Sequence, residues 1–400
     1  MMTDWFIPEM EEFETQRALL NLNLNKAIRY YRELIVPGIG GVWFVRQLSW
    51  AAAGIKLAEE IHNFRPVKIA NAIEAMACKL AWRQDRNQEG LRGKRAFNRY
   101  SDAWSFKELS QPKFYVRIPF RSSTVRALSS LGLTEGSRFN SMELTKNGSC
   151  LAEAFLSQKR GKSIRKAITD WIGGDEIRNI VDGLWRDATS EEKQITLDRL
   201  MTNTNDSLAK SERRACLIKA FGNYKKEDVP DLDSVKKHLQ PDQVIEIKTA
   251  QAFDALLKTG RDLIYECAEI IDKDNIRIIG KLADKLDKML KKLRSAANIF
   301  HECANKSKKQ HQDAANFTNE ILSIDLDNDE ELLRKVITRD GVILKSAAEG
   351  NKIEKGPLFS RRKEMDEGAG NEKQEEFAGM EESSTEYKVR QLFELWRNCQ

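Results

Sequence analysis

The stretch STVRALSSLGLTEGSRFNSMELTKNGSCLAEAF, residues 123–155, is the best-organised local text in the chain. Val125, Leu128, Leu131 and Leu133 fall on the apolar side of a short helix that stops at Gly132, with Ser123, Arg126 and Ser130 opposite. Glu135-Gly136-Ser137 is a tight turn. Residues 138–144 alternate well enough for a strand, with Phe139, Met142 and Leu144 as its apolar side chains. Thr145 is placed to cap a second helix, whose inward face is Cys150, Leu151, Ala154 and Phe155. The order predicted is helix, turn, small hairpin, helix. Such a unit either faces a nucleic acid or serves only as a folding module.

The charge around this stretch bears on that choice. The chain of 400 residues carries a formal net charge of +5. Eleven Lys and Arg lie between Arg83 and Arg126 against four Asp and Glu, so this window alone holds +7. A concentration of this kind is the footprint of a polyanion-binding face, and equally that of a solvated helical surface. The segment DRNQEGLRGKRAFNRYSDAWSFKELSQPKF, 85–114, is polar, basic and rich in aromatic residues, and KFYVRIPF, 113–120, reads as a short strand.

Residues 121–156 resemble a winged helix-turn-helix domain, through LGLTEGSRFNSMELTKNG at 131–148: a recognition helix, a wing hairpin and a step into a closing helix. The resemblance covers about 35 of the 400 residues. The two helices that should precede it fall between 67 and 112. It implies a helix that enters the major groove of duplex DNA. Ser123 would allow close approach, and Arg126 would reach a guanine or a phosphate. Arg121, Arg138, Lys146, Arg92, Lys94 and Arg95 would meet the backbone. Winged helices also serve as protein-interaction modules, so a scaffold without nucleic-acid contact is the other reading.

Outside this region the text is helical. Pro and Gly are few (8 and 22), which favours long helices over a turn-rich β architecture. Six scattered Cys and no CxxC argue for a reducing compartment and against a disulfide framework. The N-terminal text has no signal-peptide pattern. The most apolar segment, 35–58, is interrupted by Arg46, which predicts a buried helix rather than a membrane span. Ile279, Leu282, Leu286, Met289, Leu293, Ala296 and Phe300 form an apolar seam in steps of three and four. It predicts an antiparallel helical hairpin, with a dimer seam as the alternative. At the C-terminal end, Val389, Leu392, Phe393 and Trp396 stand at i, i+3, i+4 and i+7 behind a charged, low-complexity stretch. That helix is expected to dock into a groove, on its own body or on a partner.

Three chemical constellations are weaker. Pro230-Asp231 and Glu246-Ile247-Lys248 resemble the PD…ExK pattern of nucleases, in which Asp231 and Glu246 would hold Mg²⁺ and Lys248 would sit beside the attacking water. The intervening DSVKKHL reads as helix, which disfavours the hairpin that pattern needs. RGKS, 160–163, lacks the earlier glycine of a phosphate-binding loop, because Leu156 stands there. His301, Cys303 and His311 lack a fourth partner for a metal.

The sequence therefore predicts a mainly α, multi-helical protein with an embedded winged helix-turn-helix and a long helical hairpin. Its regions are 1–66 (helical), 67–160 (basic, winged-helix-like), 161–227 (helical), 228–249 (joint), 250–325 (hairpin), 326–382 (partly disordered linker) and 383–400 (docking helix). The expected function is that of a cytoplasmic, non-enzymatic accessory subunit that binds DNA, in the manner of those in bacterial DNA processing or anti-phage defence, with no cofactor or metal. The expected partners are DNA and other protein subunits but no membrane, with self-association through 279–300 as a further expectation. The alternative function is the Mg²⁺-dependent nuclease.

Overall fold

Small side chains decide how the first helices pack. After α1 (Asn25–Ile35), α2 (Val45–Ile61) and α3 (Pro66–Gln84) meet at Gly54, where an added Cβ would stand 2.6 Å from the Ala70 Cβ. Only glycine permits that approach. His62, at φ +59°, closes α2 in the left-handed region, and Pro66 opens α3 at a position where its missing N–H costs nothing.

The computed structural model describes residues 21–86, 91–100, 102, 104–116, 118–160, 162–175, 184–185, 188–202, 208–225, 231–347, 351–360 and 385–400. Their architecture is mainly helical, with only two-stranded sheets. The chain divides into two units, one of residues 29–251 and 369–400, the other of 1–28 and 252–368. The seven regions expected from sequence thus reduce to two.

In the first unit, α4 (Lys94–Arg99) and α5 (Phe106–Leu109) pack on α3, and α6 (Phe120–Ser130) packs on α2 and α3. The predicted strand at 113–120 does not form. Tyr115 is instead drawn into the core, stacked on Phe97 at 6.0 Å, and Pro119 opens α6. Strands β1 (Thr134–Glu135) and β2 (Glu143–Leu144) pair Thr134 with Leu144. The expected 138–144 strand shrinks because Phe139–Ser141 coils into a 3₁₀ turn that buries Phe139. Thr145 caps α7 (Lys146–Leu156) by accepting the Gly148 N–H at 3.2 Å, as predicted. A Cβ on Gly148 would stand 1.8 Å from the Leu133 carbonyl, so this start of α7 requires glycine.

A second hairpin, β3 (Lys159–Arg160) with β4 (Lys162–Ser163), leads to α8 (Ile164–Ile172), α9 (Ser190–Met201) and α10 (Leu208–Phe221). Then come α11 (Leu232–Lys236) and α12 (Pro241–Asp274), whose first turns complete this unit. Within the expected 228–249 joint, the described residues form α11, a turn at 237–240 and the start of α12, and the division between units falls inside α12. Arg46 is fully buried on α2 and ion-paired. It pairs with Glu192 of α9 at 3.3 Å, donates to Gln158 Oε1 at 3.0 Å and lies over the Phe155 ring. Among the described residues no helix is long and apolar enough to cross a membrane.

The second unit is built on α12 and α13 (Ile279–Ser307), with α14 (Gln312–Leu322) and α15 (Asp329–Asp340) against α13. Phe253 meets Phe300, Gly260 faces Leu293 and Asp274 bonds Lys285, so the two long helices run antiparallel as predicted. The seam uses Leu290 in place of Met289, which is half-buried. Leu282, Leu286, Leu293 and Phe300 are spent inside the unit, which removes the 279–300 seam as a self-association surface. The linker expected over 326–382 is also corrected. Leu332, Leu333, Val336 and Ile337 bury α15, and a hairpin of β5 (Leu344–Ser346) with β6 (Ile353–Lys355) follows. Residues 361–384 of that stretch lie outside the described residues.

Candidate nucleic-acid interface

α6 was expected to present Ser123 and Arg126 to a groove. Its neighbours take that face. The Ser123 carbonyl accepts the Gly41 N–H at 3.0 Å, and a Cβ on Gly41 would stand 2.6 Å from the Ser123 Cβ. Ser123 Oγ donates back to the Phe120 carbonyl at 2.6 Å. Arg126 pairs with Glu33 at 3.2 Å, and Glu33 also accepts the Gly38 N–H. The 38–41 turn therefore lies on α6 where a duplex would have to approach. Ser123 thus packs against this turn, and Arg126, exposed at its side chain, is ion-paired with Glu33.

Arg121 points inward as well. Its Nε donates to Asn71 Oδ1, its backbone N–H donates to Glu74 Oε2 at 2.8 Å, and its guanidinium lies over the Phe139 ring. Glu74 accepts a second bond, from the Tyr115 hydroxyl at 2.5 Å. Both bonds and the nearby Arg121 and Arg92 favour the carboxylate, but full burial outweighs them and raises the Glu74 carboxyl to about 7. Burial likewise lowers the Arg121 guanidinium and raises the Tyr115 phenol. This cluster fastens the first turn of α6 to α3; Arg121 is a structural cation. Arg92 is partly engaged too, donating to the Ile118 carbonyl at 3.1 Å and lying 4.1 Å over the Phe120 ring.

The remaining predicted cations keep their exposure. Arg138, beside the β1–β2 turn, and Lys146, at the start of α7, are exposed, as is Arg95; Lys94 is half-buried. A denser set gathers where the sequence shows only a basic, aromatic-rich connector. Lys79 of α3 is buried, donates to the Tyr100 carbonyl at 2.8 Å and lies 4.3 Å over the Trp104 ring. Burial lowers its ammonium to about 8, against the pull of Glu108 and Asp102. Arg83 stands over the same Trp104 ring at 5.8 Å, Arg86 over Trp82 at 5.2 Å and Arg99 over Tyr100 at 6.0 Å. The Tyr100 ring meets Phe114 at 5.4 Å, next to exposed Lys113. Arg83, Arg86, Arg99 and Lys113 are exposed, and none forms an ion pair among the described residues. These four residues are not among those the winged-helix resemblance singles out. Their signal is the interleaving in KRAFNRYSDAWSFKEL, 94–109.

The two exposed basic regions lie at opposite ends of α3. Asn140, in the β1–β2 loop, accepts the Val67 N–H, whereas Lys79 and Arg83 carry the aromatic cluster twelve and sixteen residues further on. At 1.5 Å per residue that is roughly 18 and 24 Å.

The two carboxylates of the nuclease reading are each engaged by other partners. Asp231 caps α11, accepting from Asp233 and Ser234, and those bonds hold its carboxyl below the usual range. VIEIK lies within helix α12, not in a strand. Glu246 makes a two-pronged ion pair with Arg213, at 2.6 and 2.8 Å, and Lys248 is exposed. Among the described residues no group of three His, Cys, Asp or Glu could hold a metal.

α16 (Thr385–Cys399) seats its apolar face on α2, α9 and α10 of its own unit. Val389, Leu392 and Phe393 are buried, Trp396 is 8% exposed, and Phe221 of α10 touches both aromatic rings. These four residues are thereby corrected from partner docking to internal packing. Lys388 and Gln391 bond the Gly40 carbonyl, and Gln391 also bonds that of Val42, so α16 fastens the turn that covers α6. No protein-family model, curated protein or solved structure matches the chain.

Proposed function

We propose that this chain is a non-enzymatic nucleic-acid-binding protein, an accessory component whose contact surface is the Arg83–Lys113 region rather than α6. The observation that carries the reading is the group of exposed cations, Arg83, Arg86, Arg99 and Lys113, held over or beside Trp82, Trp104, Tyr100 and Phe114. Cations stacked on fixed rings lose less freedom on binding than cations on mobile stems. Each one that meets a phosphate releases condensed counterions, which gives affinity without base readout. A winged-helix docking through α6 would require the 38–41 turn to move. The nuclease alternative would require Glu246 to leave Arg213.

Binding of labelled nucleic acid across a salt series tests this reading. Four to six phosphate contacts give a log–log slope of roughly −4 to −5 on duplex DNA. Absence of binding at low salt, to duplex and single strand alike, would leave the scaffold reading in its place.

A further inference from the structure

The basic region carries one feature that duplex binding does not use. Among the exposed large apolar side chains of the described residues, Tyr100 (44%) is the aromatic one, the others being Ile118, Ile278, Ile299 and Leu326. Tyr100 is fixed from three directions. Lys79 holds its carbonyl, Phe114 supports its ring, and the Arg99 guanidinium lies at 6.0 Å over it. Lys79 also holds the neighbouring Trp104 ring, and the Trp104 carbonyl accepts the Trp171 indole N–H at 2.8 Å. The result is an exposed aromatic ring held in place with Arg99 over it, Arg83 over the neighbouring Trp104, and Lys113 adjoining Phe114 in the chain.

We infer that Tyr100 is a base-stacking platform and that the ligand of this surface is single-stranded nucleic acid. The inference rests on the nucleic-acid reading above and specifies its substrate class. In a duplex the base faces are stacked on each other, and the rim of exposed cations would suffice for the backbone. In a single strand a base face is free to lie on the ring in place of the Arg99 guanidinium, which would then follow the phosphates with Arg83 and Lys113. Every base has such a face, so the contact is tolerant of sequence. An acidic protein segment would satisfy the cations but offers no flat ring for Tyr100.

The test measures anisotropy of labelled oligothymidylate and of a duplex of equal length, with the full chain and with Tyr100→Ala and Tyr100→Leu. Tyr100→Leu keeps an apolar side chain against Phe114 and removes the ring, which separates loss of stacking from loss of local packing. Stacking of one base predicts a ratio of single-strand to duplex affinity lowered roughly 5-fold to 100-fold by both substitutions and retained by Tyr100→Phe. An unchanged ratio in a protein that still binds nucleic acid overturns the platform alone. Binding of neither probe by the wild-type chain overturns the nucleic-acid reading itself. Displacement of oligothymidylate by polyglutamate at matched charge would assign the surface to an acidic protein segment, and the inference would fall.

Discussion

α6 and the segment that precedes it carry similar text and opposite fates. Both mix cations with apolar and aromatic residues, and both belong to the +7 window. On α6 the charges are turned to internal use: Arg121 to Asn71, Arg126 to Glu33. Between α3 and α5 the cations lie on top of aromatic rings and face outward. Arg121 also lies over a ring, that of Phe139, but it is hydrogen-bonded to Asn71 and turned inward, whereas Arg83, Arg86 and Arg99 lie over rings and stay exposed. Local charge density does not separate the two cases; the hydrogen bonds and the exposure of each cation do.

The strongest attack on this comparison is to remove the outward cations together. Replacing Arg83, Arg86, Arg99 and Lys113 by Ala should lower the salt slope by roughly 3 to 4 and the affinity at 0.1 M salt on the order of 10³-fold. Thermal unfolding should be little changed, because all four side chains are exposed. A wild-type slope in the quadruple variant would place the phosphate contacts elsewhere, with Arg138 and Lys146 next in line.

Glu74 probes the inward side. Burial lifts its carboxyl from the usual 4.5 to about 7 in the folded state. The folded state thus binds a proton that the unfolded state has released between those values. Its stabilising contribution is complete below about 4.5 and disappears as pH rises through 7. A 2.5-unit difference corresponds to about 3 kcal/mol, the desolvation cost of the buried carboxylate. Denaturant titrations from pH 4.5 to 8 should show that loss, and Glu74→Gln should flatten it. An unaltered pH profile in Glu74→Gln would move the titrating group elsewhere.

Arg121→Ala is expected to cost about 2 kcal/mol, from the lost bond to Asn71 and the packing over Phe139. Its salt slope should match that of the wild type. A slope reduced by about one unit would return Arg121 to the phosphate contacts.

What was legible in the sequence was periodic. The hairpin of α12 and α13 repeats its apolar residues over three heptads, and α16 repeats its own at i, i+3, i+4 and i+7; both lie where the spacing put them. The Thr145 cap and the turn at Gly132 follow from local chemistry alone. The covered face of α6 was not legible, because its cover comes from Gly40 and Gly41, some eighty residues away, with α16 fastened behind them. VIEIK alternates as a strand would, yet it sits in a helix. Ile247 and Ala250 are buried and Glu246 is fixed by Arg213, a long-range pairing that outweighs β propensity. The aromatic cluster was visible only as composition, since its rings are brought together by turns without periodicity.

The smallest effect separates the two surfaces most cleanly. Arg126 is 55% exposed at its side chain and 3.2 Å from Glu33. An exposed pair of this kind contributes below about 1 kcal/mol, so Arg126→Ala should barely shift the unfolding midpoint. As a recognition-helix residue Arg126 would instead carry about 1–3 kcal/mol of base discrimination. With the 38–41 turn on α6 and α16 behind it, binding by Arg126→Ala should equal that of the wild type for every duplex sequence. The comparison can be sharpened by adding Lys388→Ala, which removes the ammonium from the Gly40 carbonyl and loosens the turn. If Arg126→Ala becomes deleterious for binding only in that background, α6 reaches DNA once its cover is released. If it stays neutral in both, its charge serves the fold alone.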